Sequence, residues 1–219
     1  MDALDQVAGP AVDLLTRVDD LLAGLGAPHD HPIWPLLRRL RALPGEAFGA
    51  IVALQPASLS AAGSALRGLL PRYADARATL TIRPSWEGAG AEAFDAQRTA
   101  LVTHLDAGPE SLAGRSASTA SYLDGVADWA TWSRDALARA LAEVLGSAES
   151  VLIVAGAPAD DRSARAAADI GARVLAVVME SVDRGEALLR QWGPALVELP
   201  YRSQPPGGSR PDVATRLAY

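Results

Sequence analysis

The run Pro84-Ser85-Trp86-Glu87-Gly88-Ala89-Gly90-Ala91-Glu92-Ala93-Phe94 decides how the chain is read. Pro84 pushes the residue before it away from helical angles, and Gly88 supplies the backbone freedom for a reversal. Before the run, Leu59, Ala62, Leu66, Leu69, Tyr73, Ala76 and Leu80 recur at alternating spacings of three and four. After it, Phe94, Leu101, Leu105, Leu112, Thr119, Leu123, Val126, Ser133, Leu137, Ala140 and Val144 hold the phase. Heptad stripes on both sides of a turn predict two helices folded back on each other. Trp86 is placed to cap the end of their shared core, and the small residues after Gly88 let the returning helix approach closely.

Working outward, Leu4, Val7, Ala11, Leu14, Val18, Leu21 and Leu25 form an N-terminal stripe, stopped by Gly24, Gly26 and Pro28. Pro10 lies inside it and predicts a kink or a later start. Ile33 to Leu43 is a short Arg-rich amphipathic piece that Pro44-Gly45 breaks, and an apolar run from Ala47 to Leu54 follows. Ser58 is read as the N-cap of the next helix, with a break at Pro71. Gly108-Pro109 predicts a kink in the long helix. A last helix runs from Asp161, read as an N-cap, to Trp192, and Ser203–Ser209 reads as linker. The fold class is all-α: an elongated antiparallel helical bundle around a helix–turn–helix hairpin. Its organisation is 1–55 as an N-terminal helical segment, 56–200 as the bundle and 201–219 as a flexible tail. The apolar runs Val151–Val154 and Val174–Val178, with a helical pattern between them, leave a βαβ unit open as the alternative for 151–178.

Composition narrows the chemistry. The chain has 219 residues and a net charge of −6; alanine makes up about a fifth, every one of the 20 basic residues is Arg, and Lys, Asn and Cys are missing. Without Lys there is no phosphate-cradling Walker loop and no Schiff base. Without Cys there is no disulfide, thiolate metal site or cysteine nucleophile. An acidic chain with scattered Arg lacks a footprint for nucleic acid. No apolar stretch reaches the roughly 18 residues that span a bilayer, and the acidic start lacks the basic region of a secretory signal.

Candidate sites are few. Gly88–Ala93 fits the dinucleotide fingerprint, with Asp106 at about the distance of a ribose contact, but the fingerprint needs a strand ending at its first glycine, whereas the preceding stripe has helical period. His29-Asp30-His31 offers half a metal site with no cluster to complete it. Asp19-Asp20 reads as a solvated helix face and Asp160-Asp161 as a helix start, where the dipole favours acids. No nucleophile elbow or triad assembles. The expectation is therefore a protein that is not an enzyme, with no catalytic residue, cofactor or metal. Trp129 and Trp132, three residues apart on one helical face, read first as core or interface packing and second as a partner-binding strip, and Phe94 and Tyr122 join them as possible interface residues. Arg38, Arg39 and Arg41 form a small basic amphipathic patch, read as a solvated face, with membrane contact left open.

The run Trp86–Phe94, set between helical segments over residues 58 to about 125, resembles the signature of the WXG-motif superfamily, helical-hairpin proteins of type VII secretion systems in actinobacteria and related Gram-positive bacteria. Beyond that stretch, only helical character and length match the longer PPE-like and fused PE–PPE-like members. The resemblance implies an antiparallel four-helix bundle, made with a partner hairpin or within the chain, and a recognition role for Trp86 and Gly88. It further implies a secretion ATPase as partner if the protein is exported, and location in the cytoplasm or outside the cell without a cleaved signal. Family members pair the turn with a Tyr-x-x-x-Asp/Glu signal. Here Tyr122 is followed four residues on by Val126, Tyr73 by Arg77 and Tyr201 by Pro205, so no tyrosine satisfies it. The alternatives are a partner that supplies the signal, or an intracellular scaffold, chaperone or immunity-type protein. A small α/β nucleotide-binding protein stands behind both.

Overall fold

The computed structural model describes residues 2–82, 85, 87–106, 108–156 and 158–193. Among them the chain is all-α, with nine helices and no strand. α1 (Ala3–Leu25) starts at Asp2, whose carboxylate accepts from the Asp5 amide while Asp5 accepts from that of Asp2, both at 3.0 Å. It runs through Pro10 unbroken and stops at Gly26, where φ is +74°. Its stripe is buried at Leu4, Ala11, Leu14 and Val18, yet Leu25 is exposed while Leu15 and Leu22 go inside. A straight helix drifts about 20° per heptad from a 3.5-residue repeat, so the inward face rotates off the strict stripe.

α2 (Ile33–Leu40) closes on Arg41 in the left-handed region, short of the expected Leu43. α3 (Pro44–Val52) then begins at the proline read as a breaker, because a first-turn position needs no amide hydrogen. α4 (Pro56–Arg67) likewise opens on a proline, with Gln55 rather than Ser58 as its N-cap. The chain breaks after Gly68, and Pro71 sits in the first turn of α5 (Leu70–Thr81). α6 (Ala89–Asp106) and α7 (Leu112–Leu145) are separate helices, so Gly108-Pro109 ends a helix where a kink was expected. Gly108 has φ +98° there, and Ser111 caps α7 by accepting from the Gly114 amide. α8 (Ala148–Val154) and α9 (Asp161–Trp192) complete the chain. Both runs read as possible strands, Val151–Val154 and Val174–Val178, are helical, which removes the βαβ alternative. The cap of α9 is Asp160, one residue before the expected Asp161, accepting from the amides of Arg162 and Ser163.

Burial divides the molecule into a body and an arm. The apolar core joins α1, α2, α3, the end of α7 from Leu137 to Val144, α8 and α9. Its largest fully buried side chains include Leu4, Leu14, Ile33, Leu137, Leu141, Ile170 and Leu175. Segment 1–55 thus shares its core with the C-terminal helices. The arm has almost no interior: α4 buries Gly63, α5 buries no residue and α6 buries only Arg98. α4 returns along α7 because Gly63 lets it sit against Ala120 and Leu123, where an added Cβ would be 3.3 Å from the Ala120 carbonyl oxygen. α5 returns along α6, with Arg77 paired to Asp106 at 2.9 Å and Arg98 donating to the Leu80 carbonyl at 2.9 Å. One region, Pro44–Thr81, contains a stretch apolar and long enough to cross a membrane by those two criteria, contrary to the sequence expectation; the joint at Ala53–Gln55 interrupts it.

Candidate interaction surface

At the joint between body and arm, the Arg134 side chain on α7 is buried, 7% exposed, and its guanidinium is fully engaged. It donates to Asp2 at 2.6 and 3.1 Å, to Asp5 at 2.6 Å, and to the carbonyls of Val52 at 2.6 Å and Leu54 at 3.3 Å. The carbonyls lie at the end of α3, where a cation offsets the negative pole of the helix. Arg98 does the same for the end of α5. In a chain without lysine, both stitches fall to the planar, multi-donor side chain suited to them.

Of the expected recognition turn, Gly88 falls at the far end of the arm. Trp86 lies outside the described residues. Gly88 is exposed with φ +105°, and its carbonyl accepts from Ala91 and Glu92 to open α6. Only glycine takes that φ without strain. Along the arm, Ile82, Phe94 and Leu101 are exposed by 74%, 47% and 41%. The inward face of α6 carries Arg98 instead, so much of the apolar pattern legible in its sequence points to solvent.

Of the four aromatic interface candidates, Phe94 lies on α6. Tyr122 meets Trp192 edge-on, with ring centroids 6.0 Å apart. The Trp129 indole donates to the Ser181 carbonyl at 2.8 Å, and its ring lies over Gly185, where a Cβ would come within 3.2 Å. Arg184 stacks over Trp132 at 3.6 Å, a cation–π contact. The three stitch α7 to α9 within the chain. Sequence reading missed the complementary signal, glycines and serines on α9 at Ser181 and Gly185 that receive these rings.

The remaining candidates are structural. His31 Nδ1 accepts from the Ile33 amide at 3.2 Å, which leaves Nε2 to donate to Asp169 at 2.9 Å. Among the described residues no group of three His, Asp or Glu side chains could hold a metal ion. Gly88–Ala93 follows a helix rather than a strand, so the dinucleotide fingerprint has no framework. Arg39 of the basic patch pairs with Asp183 on α9.

Asp19 is not on a solvated face. It is half-buried and accepts from the Gly45 amide at 3.0 and 3.2 Å, closing the start of α3 from the neighbouring helix. Burial, aided by the charges of Glu46 and Asp20, pushes its carboxyl up from 3.8 to about 6. The folded state therefore binds this proton more tightly, and Asp19 lowers stability as pH rises from about 4 to about 6. Asp2 has the opposite sign: the hydrogen bond from Arg134 holds it at about 2, so its contribution is present above about 4 and lost as pH falls from there towards 2. In urea unfolding, Asp19→Asn should flatten the profile between pH 4.5 and 7 while leaving the acid limb intact. Parallel profiles for the variant and the natural chain would exclude this role.

An all-α body with a two-stranded helical arm is the class that this geometry defines. Comparison of the chain with protein families, with curated proteins and with solved structures gives no match.

Proposed function

We propose that the chain is a non-enzymatic helical-bundle protein of a type VII secretion system, a substrate or an associated component, acting by helix-mediated binding. Supporting this reading is the arm: α5 and α6 return along each other, with Gly88 in the left-handed region and Ile82 and Leu101 exposed. Two helices with so little interior gain most from a further helical surface, as apolar area removed from water contributes about 25 cal/mol per Å². The partner is a helical hairpin or a second copy, with Trp86 and Gly88 forming the recognised turn and a secretion ATPase reading it. A second reading, an intracellular scaffold, chaperone or immunity-type partner, draws on the missing Tyr-x-x-x-Asp/Glu signal.

Fractionation of cultures with and without the secretion ATPase tests the proposal. The protein is expected outside the cell only when the ATPase is present, and equal amounts outside both strains would refute export. Trp86→Ala should reduce export or partner capture severalfold with helicity retained; unchanged capture with lost helicity would reduce Trp86 to a core cap.

A further inference from the structure

The joint between body and arm carries a conformational device. α4 is held to α7 by Gly63 and small neighbours and by the exposed Arg67–Asp124 ion pair, while Ala61, Ala62 and Ala65 on its other side are exposed. Exposed ion pairs contribute about 0–1 kcal/mol, and alanines bury little apolar area, so the contact is extensive but shallow. Three residues, Ala53 to Gln55, link α4 to the body. The carbonyls flanking the start of this link, Val52 and Leu54, are both clamped by the buried Arg134, which also holds the start of α1 through Asp2 and Asp5.

We propose that Arg134 is the latch of a hinged helix: α4 lifts off α7 between the breaks at Ala53–Gln55 and Gly68-Leu69 and frays, since a detached helix of 12 residues is marginal in water, and the five donors of Arg134 set how often it does. The body stays folded meanwhile, because none of its core residues belongs to α4, α5 or α6. Opening bares the face of α7 that carries Ala120 and Leu123. The inference rests on the joint's geometry alone and stands whether or not the chain belongs to a secretion system.

Native-state hydrogen exchange on the full chain, read by mass spectrometry, tests it. In the natural chain, amides of α4 should exchange at least tenfold faster than those of Ala166–Val178 in α9, through one opening of that helix. Arg134→Met should raise exchange of α4 a further tenfold or more and leave Ala166–Val178 within twofold. Should that variant not fold, Asp5→Asn, which removes the charge and one of the two acceptor oxygens that face Arg134 and the Asp2 amide, is expected to raise α4 exchange by about threefold and leave Ala166–Val178 unchanged. Equal protection of α4 and α9 in the natural chain would overturn the hinge. A uniform rise across both segments, or no change in α4, would overturn the latch.

Discussion

Leu175→Ala should lower the free energy of unfolding by about 2–5 kcal/mol, and Leu101→Ala by less than about 1 kcal/mol. Both remove the same atoms from a leucine near the middle of a helix. Leu175 has no solvent exposure and lies in the core between α9 and its neighbours, so the truncation leaves a cavity as well as losing transfer energy. Leu101 is 41% exposed on the arm and already meets water. Urea unfolding of the two variants under one set of conditions checks the pair. Comparable losses would mean that the arm has an interior of its own and that the body–arm division is wrong.

Gly114→Ala should be destabilising by about 2–3 kcal/mol or more, whereas Gly49→Ala should be neutral or stabilising by up to about 1 kcal/mol. The methyl group at 114 would stand 2.3 Å from the Gly108 carbonyl oxygen and 2.8 Å from two Pro109 backbone atoms. Backbone atoms cannot rotate aside as side chains do, so the turn between α6 and α7 must open. Gly49 lies inside α3 with nothing within 4 Å of its added Cβ, and there alanine's helix propensity is the remaining term. Thermal unfolding separates the two; an unperturbed Gly114→Ala would show that the turn is looser than its contacts imply.

Much of the helical pattern was legible in the residues. Heptad stripes located α1, α4 to α7 and α9, since a period near 3.5 survives small errors of phase. Helix ends were less legible. Pro44 reads as a breaker but begins a helix, as Pro56 also does, because the missing amide hydrogen is harmless in a first turn. Stripes also do not reveal which helices share a core. Those of α1 and α6 look alike on paper, yet the first is sealed under α9 while the second leaves Phe94 and Leu101 outside. That difference depends on which distant segments return, and local periodicity is silent on it. Asp19 and Arg134 were hidden for the same reason: their partners are 26 and up to 132 residues away. Tyr122, Trp129 and Trp132 were legible as contact-formers, and their partner, α9 of the same chain, was not.

α7 has one further consequence. Its 34 residues form a continuous rod, about 51 Å long at 1.5 Å per residue, that begins in the arm and ends among Leu137, Leu141 and Val144 in the core. The molecule is therefore mechanically lopsided. Tension on the start of α7 passes down a hydrogen-bonded axis into the best-packed part of the body. The same tension on the end of α5 meets only shallow contacts, which can give way one after another, like a seam unpicked from its free edge.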